Sequence, residues 1–484
     1  MIHKTYTSPA SLIAIALLLP ALARADWYQS PAAQMAPVTP VVVAPPLPHF
    51  DPRSYGAKAD GVTYDTAAIQ KAIDACGGTG GSVILSPGQY LSAQLTLHGR
   101  MTFYLQKGAT LLGGANAADY PPLLPDGTPA QANCRGLIYA AKADGLTIDG
   151  DGEINGQCHL PTSLNMRGNE SQRPSLLRIF QSNGVTVRNI TLTHPRMWTQ
   201  IYSECGNLTI DHLTVNAPPD AINLDGIDIC DSHDVTVRNC DITSEDDSIC
   251  LKSHGAQGLQ NILVENNKIR STKADGIKIG TATVGPISHI VFRNNTVIGA
   301  AMGGLCIEDA DGSALSDIEV SGLDIYRASQ PLFIRLSKRV GNKSATDLTP
   351  ADRPLGSVTN ITIERLRSIG NERARRPAST ITGINAGSVT GVTIKDSYFE
   401  MPGGAPKIPA NPRENDGAYP QSSMFGDTPG YAFYVRHAQN ILFSNVTLAV
   451  LKPDARPWLA TGDSAGVKTD NCKDLGVTPP TPVP

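Results

Sequence analysis

The chain is expected to fold as an all-β, single-stranded right-handed parallel β-helix. Three observations carry that expectation. One short strand pattern recurs nine times between Val185 and Ile441. Its commonest spacing, in the twenties, suits a coil of about three short strands and their turns. Glycine (45) and proline (36) are plentiful while aromatics make up only 5%, as in a chain of many short strands and turns.

The chain has 484 residues and opens on a segment that reads as a signal peptide, 1–25. His3 and Lys4 precede the apolar run Leu12–Leu22, which is too short to span a bilayer, and Ala23-Arg24-Ala25 is a small-x-small cleavage site. Export to the periplasm or the medium follows. Residues 26–48 are rich in Pro, Ala and Val and read as an extended linker. The solenoid is expected over 49–475.

Its first part, 49–114, reads as a distinct unit. Asp65 or Thr66 can cap a helix from Ala67 to about Cys76, with Ile69, Ala72 and Ile73 on one face and Gly77-Gly78 as the stop. That helix is placed to cover the open end of the stack. Short strands are expected at 82–85, 95–97 and 102–105.

From about residue 136 the repeat takes over. Its first apolar positions are Val185, Leu208, Val235, Ile262, Ile290, Ile318, Ile361, Val392 and Ile441, spaced by 23, 27, 27, 28, 28, 43, 31 and 49 residues. Each unit alternates with period two and ends in a polar turn, often at Asn. One such strand cannot bury its apolar face alone, whereas identical stacking shares a continuous core. The two long spacings mark insertions, 337–357 and about 401–430, of the kind that line or cover a cleft. The Pro-rich end, 476–484, is expected to be disordered.

Charge and cysteines narrow the partners. A net charge of −4 gives no sign of a nucleic-acid partner. The nine cysteines form no CxxC pair, so a zinc site is not expected and most are read as free, packed thiols. No cofactor, metal or mature-form membrane contact is expected, and a monomer is.

Chemistry concentrates in one column. Aligning LDGIDI (224–229), DDSICL (246–251), DGIKIG (275–280), GGLCIE (303–308) and PLFIRL (331–336) stacks Ile227, Ile249, Ile277, Leu305 and Leu332 inward. Ile229, Leu251, Ile279, Ile307 and Ile334 make a second inward column. Asp225, Asp247 and Asp275 then share a column, with Asp246 beside it. Coils lie about 4.8 Å apart, so these carboxylates are neighbours and at least one pKa should rise. One protonated and one ionised carboxyl is what glycosidic hydrolysis needs. A solvated turn or a calcium site would show the same spacing.

The unit YGAKADGVTYDTAAIQKAID and the pair Asn223-Leu224-Asp225 and Glu245-Asp246-Asp247 resemble polygalacturonases, glycoside hydrolase family 28, over about residues 50–450. The resemblance implies a pectin-lyase-like solenoid and metal-free hydrolysis of a polysaccharide or oligosaccharide with inversion. Asp246 would be the general acid, and Asp225 and Asp247 would hold and activate the water. Two further family motifs, Gly-His-Gly and Arg-Ile-Lys, read here Ala274-Asp275-Gly276 and Cys306-Ile307-Glu308. The family uses their basic residues to bind a galacturonate carboxylate, which Glu308 would repel.

Asn223, Lys252, His254, Asp275, Lys278, Glu308 and Arg335 are the candidate substrate-binding residues. Arg335 could pair with Glu308 or meet substrate. A rhamnogalacturonan or other acidic-glycan hydrolase, a calcium-dependent lyase and a non-catalytic glycan-binding solenoid are the competing readings.

Overall fold

The structure, a computed structural model, describes residues 44–123, 135–159, 172–218, 222–339, 354–370, 377–385 and 387–483. The expected signal peptide, most of the linker, Cys134 and most of the 337–357 insertion therefore lie outside the described residues.

Every strand pairing between coils is parallel, and the strands join one continuous sheet that winds about a single apolar core. The nine repeat positions stack in the expected register. Leu208 pairs with Val235, Val235 with Ile262, Ile262 with Ile290, Ile290 with Ile318, and the ladder continues through Ile361 and Val392 to Ile441. From Ile287 the corners tighten, so Ile287–Asp309 and Ala314–Leu336 each run as one bent strand round the coil.

The corner explains the asparagines. The residue before each repeat position has left-handed backbone: Gly184, Asn207, Asp234, Asn261, His289, Asp317, Asn360, Gly391 and Asn440, with φ between 50° and 70°. Gly enters that region freely, and Asn and Asp tolerate it best among the other residues. The polar side chains also stack, with Asn207 donating to Asn183 at 2.7 Å and Asn261 to Asp234 at 3.0 Å. A second corner uses Asn189, His212, Asn239, Asn266 and Asn294 in the same way.

The first part differs from expectation. Residues 49–114 are not a separate unit, because Ser82–Leu85 pairs with Thr102–Leu105, which pairs with Thr147–Gly150 of the later coils. Strands at Asp60–Tyr64, Gly88–Ser92 and Ala109–Gly113 were not anticipated, since their apolar residues are too few to show a period. The helix is Thr66–Cys76 with Asp65 at its N-cap, and it buries Ile69, Ala72, Ile73 and Cys76 against the core. The Asp65 carboxylate does not bond the helix. It accepts instead from the Lys58 and Ala59 amides at 2.6 and 2.9 Å, tying the preceding turn to the helix start.

At the far end, strand Lys473–Val477 pairs with the Ala438–Val450 strand. Beyond it, the Thr478 amide donates to Val450 and the Thr481 amide to the Glu400 carboxylate. The free thiols Cys76, Cys205, Cys230, Cys240, Cys250 and Cys306 are buried, as is Cys158, and the free thiol Cys472 is half-buried.

Candidate active site

Five strands on one face present the site: Gln200–Ser203, Ile227–Cys230, Ile249–Ser253, Ile277–Thr283 and the end of Ile287–Asp309. Ile227, Ile249, Ile277, Leu305 and Leu332 stack inward as expected, and so do Ile229, Leu251, Ile279, Ile307 and Ile334. That register carries the residues between them outward, into a column Arg178, Ile201, Asp228, Cys250, Lys278 and Cys306.

The acids precede these strands. The backbone chain Gly226 N–H to Asp247 O (2.9 Å) and Ser248 N–H to Asp275 O (3.0 Å) fixes Asp225, Asp247 and Asp275 on consecutive coils. A carboxylate oxygen of Asp225 lies within 4.8 Å of one of Asp247. The turn before Asp225 is made by Asn223, in left-handed backbone at φ 55°. Asp246 is held from behind, because its carbonyl accepts from the Ser244 and Ser271 hydroxyls at 2.6 and 2.8 Å.

Two buried ammonium groups organise the carboxylates. Lys252 Nζ lies 3.1 Å from Asp225 and 2.5 Å from Asp228, under the ring of Trp198 at 3.7 Å from its centroid. Lys278 Nζ lies 3.3 Å from Asp247 and 3.1 Å from Asp275. Asp275 also accepts from the Gly303 amide, and Asp247 from the Asp275 amide. Six acids, namely Asp225, Asp228, Asp246, Asp247, Asp275 and Glu308, thus surround two lysines, so the cluster cannot be fully ionised without excess buried negative charge.

Each pKa shift has a physical cause. Burial raises Asp225, Asp228 and Asp275 more than the neighbouring lysines lower them. Burial works against the Lys252 ammonium, but the anionic groups around it, Asp228 foremost, outweigh burial and raise its pKa. Burial and then the Asp247 charge push Asp246 up to about 6. Burial pushes Glu308 up to about 8. Asp246 is half-buried, whereas Asp225 and Asp247 are 2% and 5% exposed.

The remaining candidates fall in distinct places. Glu308 is buried and accepts from Thr281 at 3.0 Å. Arg335 stands beside Glu308 in the ladder, yet it donates to the carbonyls of Gly383 and Glu414, at 2.7 and 2.8 Å. His254 lines a separate cavity of about 370 Å³ with Arg173, Arg178, Trp198 and Asp231. Its amide bonds the Asp231 carboxylate, and burial lowers its pKa.

Two triplets, Asp225/Asp247/Cys250 and Asp275/Cys306/Glu308, have the spacing to hold a metal ion. Lys252 and Lys278 supply positive charge to Asp225, Asp247 and Asp275.

Asp228, Trp198 and Tyr419 were missed. Asp228 was legible, because it occupies the alternate position of the aligned strand LDGIDI. Trp198 lies in a turn and Tyr419 in an insertion, where no repeat position points to them.

The site is thus a cluster of carboxylates and lysines on adjacent coils of a parallel solenoid. The chain belongs to glycosyl hydrolases family 28, whose model matches residues 76–401. It is 29% identical over 299 residues to a polygalacturonase-type protein of Arabidopsis thaliana, covering 59% of this chain and 60% of that protein. It is 26% identical over 298 residues to an endo-polygalacturonase of Pectobacterium carotovorum subsp. carotovorum, covering 57% of this chain and 73% of the relative. The solved Yersinia enterocolitica family 28 exopolygalacturonase superposes with a TM-score of 0.66 at 20% identity, over 87% of this chain and 78% of that one. The family match favours hydrolysis over the lyase and non-catalytic readings.

Proposed function

We propose that this protein hydrolyses the backbone of pectic polysaccharide, with Asp246 as general acid and Asp225 and Asp247 holding and activating the water. The observation that supports this reading most is the contrast among the three acids. What sets Asp246 apart is access: it is half-buried where the other two are buried. With its pKa near 6 it carries, in mildly acidic solution, a proton that can reach a glycosidic oxygen, while Asp225, also raised by burial, relies on the Lys252 ammonium to hold its charge. Asp225 and Asp247 sit deeper, each in ion-pair contact with a lysine. A water between them would attack the opposite face of the sugar, which inverts the anomeric centre.

Lys252 and Lys278 act in this reading as positioning residues. Each holds the oxygen of a water-binding aspartate in place. Arg173 and Arg178 in the adjoining cavity are the cations offered to substrate carboxylates, in place of the family clamp positions occupied by Asp275, Cys306 and Glu308. Export is part of the proposal and rests on residues 1–25. No helix among the described residues is long and apolar enough to cross a membrane.

Asp246→Asn tests the reading. Hydrolysis of polygalacturonate should fall by about 10²–10⁴-fold, the ordinary contribution of a general acid, while circular dichroism and the melting temperature stay near wild type. The wild-type rate should fall as pH rises through about 6, where Asp246 loses its proton. A folded Asp246→Asn protein with near-normal turnover would overturn the role.

A further inference from the structure

We propose that residues 402–430 form a wall across the active face just past the acids, so that the enzyme works from a chain end and not at internal bonds. The proposal rests on the hydrolase reading above and adds where along a polymer it cuts.

The wall crosses the whole width of the strand face. At the acid edge, a Cβ on Gly303 would lie 3.6 Å from the Cβ of Ser422, and Gly303 stacks next to Asp275 through its amide. In mid-face, Phe425 packs with Cys306 and Phe333, with Met424 against them. On the following outward column, the Tyr419 hydroxyl meets Thr281 Oγ1 at 2.8 Å, and Thr281 holds Glu308. Further along, Arg335 donates to the Glu414 carbonyl under the Phe425 ring, and the Lys338 amide donates to Asp416. The outward residues beneath are buried: Cys306, Glu308 and Phe333 are 0% exposed and Arg335 is 1% exposed.

The other direction differs. There the face falls into the cavity of about 370 Å³ beside Trp198, Arg178 and His254. The acids stand between the two. The wall first touches the Ile277–Thr283 coil, where Tyr419 meets Thr281, and covers the strand face from the Gly303 coil, two coils beyond Asp247, which at the ordinary strand spacing is about 10 Å. A sugar chain lying along the stack therefore has room for a short terminal segment between Asp246 and the wall, and none to pass through. Tyr419, 53% exposed and with its hydroxyl fixed to Thr281, offers a ring on that side for the terminal sugar.

The test uses oligogalacturonides of defined length carrying a bulky fluorophore at one end, at the other, or at both. Wild-type enzyme should cut one of the singly blocked sets, releasing a product of one fixed short length, and should leave the doubly blocked set intact. On polymer, reducing ends should accumulate with little loss of viscosity. Cleavage of doubly blocked oligomers, or an early spread of product lengths, would overturn the wall. A variant with 417–424 replaced by a short Gly-Ser link should gain cleavage of the doubly blocked set, and an unchanged product pattern from that folded variant would also count against the wall. If unblocked oligomers are not hydrolysed at all, the hydrolase reading fails. The wall is then read by binding of the same oligomers, where retention of the doubly blocked set as tightly as the free one would overturn it.

Discussion

Two neighbouring parts of one strand face share a register and diverge in their chemistry. Over the coils of Asp228, Cys250 and Lys278 the outward column is buried too, and the group that reaches solvent is the half-buried Asp246 beside it. Over the coils of Cys306 and Phe333 the outward residues are sealed by residues 402–430. The strand ladder is the same in both. In a solenoid the backbone therefore sets where side chains point, while an insertion decides what covers them. Buried acids are tolerated in both parts for different reasons. The first part supplies lysines, and the second lets Glu308 keep its proton, with a pKa near 8.

That contrast breaks most readily at Lys252. Lys252→Met leaves Asp225 and Asp228 buried without their ammonium partner. Removing one member of such a pair costs about 3–5 kcal/mol, and here it also frees the Asp225 oxygen that Lys252 holds. Denaturant midpoints should show a loss of that order at neutral pH, and activity should fall with it. The loss should shrink in acid, because the two carboxylates, already raised by burial, then take up protons. A variant as stable as wild type at neutral pH would contradict the charge-balanced half of the comparison.

Glu308→Gln sharpens the other half with a smaller effect. Glu308 has its pKa raised from 4.5 to about 8, so the folded protein binds this proton more tightly than the unfolded chain does. Its contribution to stability is complete below about pH 4.5 and is lost as pH rises towards 8. Wild-type stability should carry that downward slope, worth on the order of a few kcal/mol across the window, and Glu308→Gln should flatten it. An identical slope in both proteins would mean that Glu308 is not the group that titrates.

Much of this was legible beforehand because a solenoid repeats its errors and its signals alike. The Ile227–Ile249–Ile277–Leu305–Leu332 column could be read from five aligned segments, and placing Asp225, Asp247 and Asp275 followed from it. The corner asparagines were visible as polar turns, though their left-handed backbone was not. What stayed hidden lies outside the repeat. The strands at 60–64, 88–92 and 109–113 precede any period. Lys252 was expected to face substrate, and nothing in a strand pattern says that its ammonium reaches back across a coil to Asp225 and Asp228. Arg335 was expected to meet Glu308 or substrate, but carbonyls of residues 383 and 414, remote in sequence, take its guanidinium. The direction in which 402–430 folds could not be read from its composition, and it is that direction that separates the two parts of the face.

The most direct test of the hydrolytic centre is a proton NMR time course of wild-type enzyme on polygalacturonate, with rhamnogalacturonan oligomers as the comparison substrate. The account predicts new saturated reducing ends whose anomeric configuration, in the first products, is opposite to that of the bond cleaved. Retained configuration, or unsaturated ends in place of hydrolysed ones, would contradict it.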